Sequence, residues 1–209
     1  MKTNGSAIYQ VKRFDSRQEG WWKDTQAAEI AHFPWGGLAE VDYRPAASAR
    51  LGTDGQALYV YMETNETDLR AEARGFAHVH TDSCMEFFLS PDAASTQYFN
   101  FELNPAGAMY LAFGTSRNER AAVGQDNYYE FFQVKTAIHD GGWNLEYCIP
   151  LDFLRRYFPS LELKPGYNMR GNFYKCGDET THPHYGCWSP INLPQPDFHC
   201  PEFFGTLIL

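Results

Sequence analysis

The stretch ALYVYMET, residues 57–64, alternates between apolar side chains and larger, more polar ones. Leu58, Val60 and Met62 fall on one side of an extended chain, while the intervening tyrosines and Glu63 fall on the other. Successive side chains of a β-strand point to opposite faces, so this period of two is typical of a strand with one face in a core. The stretch therefore predicts a strand with an apolar inner face.

The same alternation recurs elsewhere in the chain, with turn-forming Gly, Pro, Asn and Asp residues between the repeats. The one helical pattern is PLDFLRRYF, residues 150–158, where Pro150 suits a first helical turn. Many short strands separated by turns predict an all-β fold, a jelly-roll-like antiparallel β-sandwich with one short helix. The further alternating stretches are DSCMEFFL (82–89), YFNFELN (98–104), GWNLEYCIP (142–150) and NMRGNFYK (168–175).

Length and charge limit the classes of function. The chain of 209 residues has no internal repeat or linker-like tract, so we expect a single domain over residues 1–209. Its formal net charge is -9, and its basic residues form only small clusters. Nucleic acids and anionic membranes are therefore excluded as expected partners. No apolar run is long enough to predict a membrane span. The oligomeric state stays open.

Cysteine usage bears on the cellular compartment. The five cysteines cannot all pair within the chain, and their spacing resembles neither a disulfide scaffold nor a zinc ribbon. We expect most of them to be free thiols, which favours a reducing compartment. The first residues also lack the apolar segment of a signal peptide. Together these features predict a cytoplasmic protein.

The polar sides of the predicted strands carry an unusual set of acids. Four strands contribute one glutamate each, accompanied by tyrosines and asparagines. If these strands lie in one sheet, the resulting surface suits a sugar, whose hydroxyls bond to carboxylates and amides and whose ring stacks on aromatic planes. An ordinary solvated sheet face is the alternative. The four acids are Glu63, Glu86, Glu102 and Glu146.

Catalysis by two of these glutamates is a second hypothesis. Glycosidases place two carboxyl groups either about 5 Å or about 6.5–9.5 Å apart across the bond that they cleave. Neighbouring strands could bring Glu86 and Glu102 into such a pair. However, the acids occur one to a strand, and no strand carries a cluster of them.

The segment CGDETTHPHYGCWSP, residues 176–190, concentrates reactive and aromatic side chains. It offers four soft metal ligands, although their spacing fits no common zinc pattern. A cysteine could also act as a nucleophile beside a histidine, but nothing in the sequence indicates an oxyanion hole. The four potential ligands are Cys176, His182, His184 and Cys187.

The same segment suits a ligand platform, which is the interpretation we favour. Trp188 and Tyr185 could stack on a ligand, and several polar side chains could bond to it. The prolines that follow would stiffen the segment and lower the entropy cost of holding these groups in place. The polar groups are Lys175, Asp178, His182 and His184.

The order of motifs along the chain resembles family 9 carbohydrate-binding modules, from about Trp21 to Leu209. The motifs are DSCMEFFL, YFNFELNPAG, GWNLEYCIP, RGNFYKCGDETTHPHYGCWSP and PDFHCPEFFGTLIL. The resemblance implies a jelly-roll sandwich related to the DOMON superfamily that binds sugars without chemistry of its own. It further implies that calcium supports some loops in binding members, although no calcium ligands can be matched in this chain.

The resemblance also implies a site in which two tryptophans hold a terminal sugar. Trp188 resembles one of them. The second is expected just ahead of the D-S-x-x-E strand, where this chain has Phe76, His78 and His80. His182 and His184 could replace the missing wall.

We therefore expect a non-catalytic protein that binds a mono- or oligosaccharide, with no catalytic residue. Glycoside hydrolysis by a pair of glutamates, or metal binding through the Cys/His segment, are the alternatives. The expected carbohydrate-binding residues are Trp188, Tyr185, His184, His182, Asn172, Arg170, Lys175, Glu102, Glu86 and Asp178.

Overall fold

The computed structural model describes residues 7–36 and 42–209. Within these ranges, fourteen strands form two sheets, and two short helices lie between strands. The helices are α1 (Tyr128–Phe131) and α2 (Leu151–Arg155). The strands are β1 (Ile8–Gln10), β2 (Lys12–Arg13), β3 (Ala28–Glu29), β4 (Ala47–Thr53), β5 (Ala57–Thr64), β6 (Cys84–Ser90), β7 (Tyr98–Leu103), β8 (Met109–Gly114), β9 (Arg120–Ala122), β10 (Lys135–His139), β11 (Gly142–Pro150), β12 (Asn168–Cys176), β13 (Tyr185–Cys187) and β14 (Gly205–Ile208).

The two sheets have mainly antiparallel pairing. The eight-stranded sheet has the order β1-β14-β12-β6-β7-β8-β9, and β13 also pairs with β12. The six-stranded sheet has the order β10-β11-β5-β4-β2, and β3 also pairs with β4. This arrangement confirms the predicted all-β sandwich. The expected helix is α2, with Pro150 as its N-cap, whereas α1 was not expected because a single turn leaves no periodic signal.

The apolar faces of both sheets form the main core, as the alternation predicted. Leu58, Val60 and Met62 are fully buried on the inner side of β5. Across the interface, the Phe101 ring of β7 lies 5.9 Å from the Tyr147 ring of β11. Burial of these faces provides the main favourable term in folding, because it removes a large apolar area from water.

The outer face of the eight-stranded sheet is also buried in its centre, which was not expected. Every residue of β6 and β7 is buried. Residues 185–204, here named the covering segment, contribute many of the side chains that pack on this face, and Trp35 and Val79 contribute others. Tyr174 stacks on Phe198 at 4.1 Å, and its hydroxyl donates to the Phe198 carbonyl. The tyrosines fit here because their rings pack while their hydroxyls find partners.

The four glutamates do not share a sheet, so the condition for a single surface formed by all four is not met. Glu86 and Glu102 lie on the eight-stranded sheet, whereas Glu63 and Glu146 lie on the six-stranded sheet. Glu63 is bound by Arg50 at 2.7 Å there. Alternation along a strand determines which side of the strand a residue faces, but it carries no information about which strands become neighbours.

All five cysteines are buried and free, which confirms the prediction that most are free thiols. The cytoplasmic location stays a prediction. Among the described residues, no helix combines the length and the apolar character that crossing a membrane requires.

Candidate functional site

A cavity of about 220 Å³ lies on the outer face of the eight-stranded sheet, beside the covering segment. Pockets for drug-sized ligands typically measure about 300–1,000 Å³, so this one suits a small ligand. We name it the acidic cavity. Its lining residues are His80, Glu86, Glu102, Arg117, Arg120, Cys176, Asp178, Tyr185, Pro196, Asp197, Phe198 and His199.

Two carboxyl groups from neighbouring strands contribute to this lining. Glu86 of β6 and Glu102 of β7 are direct cross-strand partners, and each is only 3% exposed. The Asn100 amide donates to Glu102 at 2.6 Å, and the Cys176 thiol donates to Glu86 at 3.0 Å. Burial, and then the Glu102 charge, raise the pKa of Glu86 well above its usual value. Burial raises the pKa of Glu102 to about 7.

These raised pKa values predict how stability depends on pH. Between the usual carboxyl pKa of 4.5 and about 7, folded Glu102 keeps a proton that the unfolded chain has released, so stability falls as the pH rises through this window. We expect Glu102→Gln to remove part of this fall and to raise the unfolding free energy at pH 8 by about 1–3 kcal/mol.

Urea unfolding at pH 4, 6 and 8 would measure this effect. Glu162→Gln is the control, because that carboxyl is exposed and forms a surface ion pair with Lys164. A pH profile of Glu102→Gln that matched the unmodified chain would contradict the assignment.

Mixed charges complete the lining. Arg117 binds Asp197 at 2.9 Å, and Arg120 donates from one guanidinium nitrogen to the Arg117 carbonyl. The Nε of Arg120 is buried without a hydrogen-bond partner among the described residues. A buried donor without a partner costs free energy. The carboxyl groups of Glu86, Glu102, Asp178 and Asp197 outnumber the two arginines, so carboxyls are the commonest polar groups of the lining.

Four of the ten expected binding residues lie together in this cavity, namely Glu86, Glu102, Asp178 and Tyr185. Tyr185 is part-exposed, and its ring centre lies 6.4 Å from that of Phe198. The cavity therefore combines aromatic walls with hydrogen-bonding groups. The other six expected residues line no part of it.

Trp188 lies inside the sandwich, which corrects its expected role as a stacking wall. Its ring packs edge-on against Tyr9 at 6.3 Å and also contacts Phe173 and Gly205. Trp188 follows the last residue of β13 and turns into the core, whereas Tyr185 at the start of that strand lines the cavity.

Asn172 and Arg170 hold the chain that covers the sheet instead of facing the cavity. The Asn172 amide donates to the Ser189 carbonyl at 3.0 Å and accepts from the Ser189 backbone NH at 2.8 Å. The Arg170 guanidinium donates to the Pro201 carbonyl at 2.8 Å. Both side chains form hydrogen bonds with backbone groups, and neither lines the cavity.

Lys175 and His184 belong to a buried polar network and not to a ligand site. Lys175 is fully buried and binds Glu66 at 2.9 Å and the His184 Nε2 at 2.8 Å. Burial, and then the Lys175 charge, lower the pKa of His184 to about 3, so this imidazole is neutral. His182 packs beside the Tyr43 ring at 5.2 Å. Neither histidine replaces the missing wall.

The alternative of a metal site formed by the Cys/His segment is not supported, because among the described residues no three of Cys176, His182, His184 and Cys187 come together as potential ligands. Cys187 pairs in register with Tyr174, His184 bonds to Lys175, and Cys176 bonds to Glu86. The His184 ring and the Cys176 thiol therefore have different partners. Nucleophilic catalysis also lacks support, because the neighbouring Cys84 thiol and burial raise the pKa of Cys176 well above its usual value.

Of the three residues at the expected second wall, only His80 lines the cavity. The His78 ring instead packs on Tyr110 at 4.2 Å, and Phe76 packs against the same tyrosine. Burial and the neighbouring His80 lower the pKa of His78. One side of the cavity thus carries an imidazole where the resemblance implied an indole.

Sequence reasoning missed most of the remaining lining residues. Arg117 and Arg120 formed a basic cluster without an assigned role, and nothing local links Arg117 to Asp197, eighty positions away. Phe198 and His199 belong to PDFHCPEFFGTLIL, which carried part of the resemblance. That motif could have indicated that Phe198 and His199 belong to the site. Only the folding of the covering segment over the sheet places them in the same cavity as Glu86.

Calcium stays a prediction. The buried loop carboxylate Asp82 accepts hydrogen bonds from Arg70, Asn104 and the backbone NH groups of Glu72 and Ala73. Its oxygens are therefore already engaged, and it does not fit a calcium ligand.

Comparisons with known proteins agree on one family. The model of carbohydrate-binding family 9 matches residues 23–209. A Bacteroides uniformis protein, solved as a candidate carbohydrate-binding protein, is 29% identical, with a TM-score of 0.81 and coverage of 97% of this chain and 99% of that chain. No curated protein gives a significant match.

Two more distant structures share the fold. They are a family 9 module from Caldicellulosiruptor kristjanssonii with glucose and with cellotriose. The identities are 15% and 14%, and the TM-scores are 0.62 and 0.66. The alignments cover 97% of this chain and 95% and 93% of those chains.

Proposed function

The chain belongs to carbohydrate-binding family 9, and we propose that it binds a mono- or oligosaccharide in the acidic cavity without cleaving it. Carbohydrate binding follows from the family, whose model matches most of the chain. The Caldicellulosiruptor module is complexed with glucose and with cellotriose. We infer that the ligand of this chain comes from the same class.

The composition of the acidic cavity is the main observation that supports it as the sugar-binding site. Sugar hydroxyls both donate and accept hydrogen bonds, and the lining of the cavity includes carboxyl acceptors together with the guanidinium donors of Arg117 and Arg120. Tyr185 and Phe198 supply aromatic surface for the C–H faces of a pyranose. A proton held on Glu86 or Glu102 would let these groups donate as well as accept. The volume suits a terminal sugar unit.

Truncation of the part-exposed aromatic wall tests this location. We expect Tyr185→Ala to weaken sugar binding at least about 10-fold, or ~1.4 kcal/mol, because an aromatic anchor is lost. A glycan array would identify the best ligand, and calorimetry with that glycan, glucose and cellotriose would measure affinity.

Tyr129→Ala is the matched control, since Tyr129 is 49% exposed and does not line the cavity. If Tyr185→Ala, Tyr129→Ala and the unmodified chain bind sugar with equal affinity, the binding site does not lie in the acidic cavity. No binding to any glycan on the array would overturn the proposed function itself.

One observation keeps glycoside hydrolysis as a second candidate. Glu86 and Glu102 are neighbouring carboxyls with raised pKa values, which is a feature of acid–base pairs. Both lie on the same sheet face, on adjacent strands. If the chain hydrolyses aryl glycosides and Glu102→Gln abolishes this activity, hydrolysis replaces the proposal of binding without cleavage. If no aryl glycoside of a broad panel is hydrolysed, the binding proposal is supported.

A further inference from the structure

A cluster of two thiols and one carboxyl lies beside the acidic cavity. Cys84 of β6 and Cys176 of β12 are direct cross-strand partners, and Glu86 lies two positions after Cys84 on the same face. The Glu86 oxygen lies 3.0 Å from the Cys176 sulfur and 3.9 Å from the Cys84 sulfur. All three potential ligand atoms lie within 4.8 Å of one another.

These distances fit a tetrahedral ion. With zinc–sulfur and zinc–oxygen bonds of about 2.3 and 2.0 Å, tetrahedral ligands lie roughly 3.5 Å apart. The observed separations bracket this value, so small side-chain shifts would complete the geometry. Among the described residues, no other group of three His, Cys, Asp or Glu side chains meets this criterion.

Access also favours a bound ion. Cys176 and Glu86 line the acidic cavity, which gives an ion a path from solvent. Three protein ligands leave one tetrahedral position for a water or a ligand oxygen from the cavity.

We propose that Cys84, Glu86 and Cys176 bind a thiophilic divalent cation, such as Zn²⁺ or Cd²⁺, at the acidic cavity. Thiolate ligands select soft and borderline ions over Ca²⁺ and Mg²⁺. Binding replaces the protons that burial keeps on these groups, so metal uptake releases protons and strengthens as the pH rises. The proposal is independent of the proposed sugar function.

Cadmium titration tests the site directly. The full chain, reduced with a phosphine and cleared of metal by a chelator, is titrated with Cd²⁺ in sugar-free buffer. We expect an ultraviolet thiolate-to-cadmium charge-transfer band that saturates at one equivalent, and Zn²⁺ should compete it away. The Cys84→Ser/Cys176→Ser variant should lose the band.

Cys148→Ser and Cys200→Ser are matched controls, because each removes a buried cysteine outside the cluster, and both should keep the band. Glu86→Gln keeps both thiols and should weaken Cd²⁺ binding at least about 10-fold, the lower limit for partners even outside the first ligand shell. Circular dichroism would establish that each variant folds.

Three results would overturn the proposal. They are the absence of a band in the unmodified chain, a band that survives the double serine variant, and a band lost in Cys148→Ser or Cys200→Ser. If the double variant does not fold, Glu86→Gln decides, and unchanged Cd²⁺ affinity in that variant overturns the proposal. Sugar binding measured in chelator is a separate readout, so failure of the metal site leaves the proposed function intact.

Discussion

Lys175→Met should lower the free energy of unfolding by about 3–5 kcal/mol, the usual loss when one member of a buried ion pair is removed. The Glu66 carboxylate is 1% exposed and would lose its cation, which lies 2.9 Å away. The His184 Nε2 would lose its donor as well. Native domains are stable by only about 5–15 kcal/mol, so much of the stability would disappear. Urea unfolding would measure the loss.

Lys164→Met is the control for this experiment. Both side chains of its ion pair with Glu162 are at least 60% exposed, so this variant should lower the free energy of unfolding far less than Lys175→Met does. The double variant Lys175→Met/Glu66→Leu should recover much of the stability, since a buried pair can often be replaced by apolar groups. A loss no larger than that of Lys164→Met would show that the buried pair is not coupled to folding.

Trp188→Ala should destabilise the fold by about 3–5 kcal/mol, the range for truncating a large aromatic side chain in a core. The ring is 8% exposed and packs between Tyr9 and Phe173, against the backbone of Gly205. Its removal leaves a cavity that these neighbours fill only partly. Thermal and urea unfolding would measure the effect.

Trp22→Ala is the matched control, because Trp22 is part-exposed and stacks on Tyr61 at 4.5 Å outside the core. This variant should lower the free energy of unfolding clearly less than Trp188→Ala does. We also expect the folded fraction of Trp188→Ala to keep its sugar affinity within about twofold, since the indole does not line the acidic cavity. Normal stability with lost sugar binding would restore Trp188 as a stacking wall.

Both predictions follow from positions where the sequence indicated one role and packing gave another. Lys175 looked like a polar handle because lysine is rarely buried, but Glu66 lies across the interface between the sheets and pairs with it. Trp188 looked like a binding residue because it lies in a polar, proline-rich stretch. In both cases the deciding partner is distant along the chain.

Local alternation determined the all-β class, the inner faces of the strands and the position of α2, because strand and helix periods depend only on neighbouring residues. It also placed Glu86 and Glu102 on the side of their strands away from the core. Only the tertiary structure decided that β6 pairs with β7 and β12, which brings these glutamates beside Cys176 and Asp178. Strand order and the path of the covering segment depend on contacts between residues far apart in sequence, and no local period encodes them.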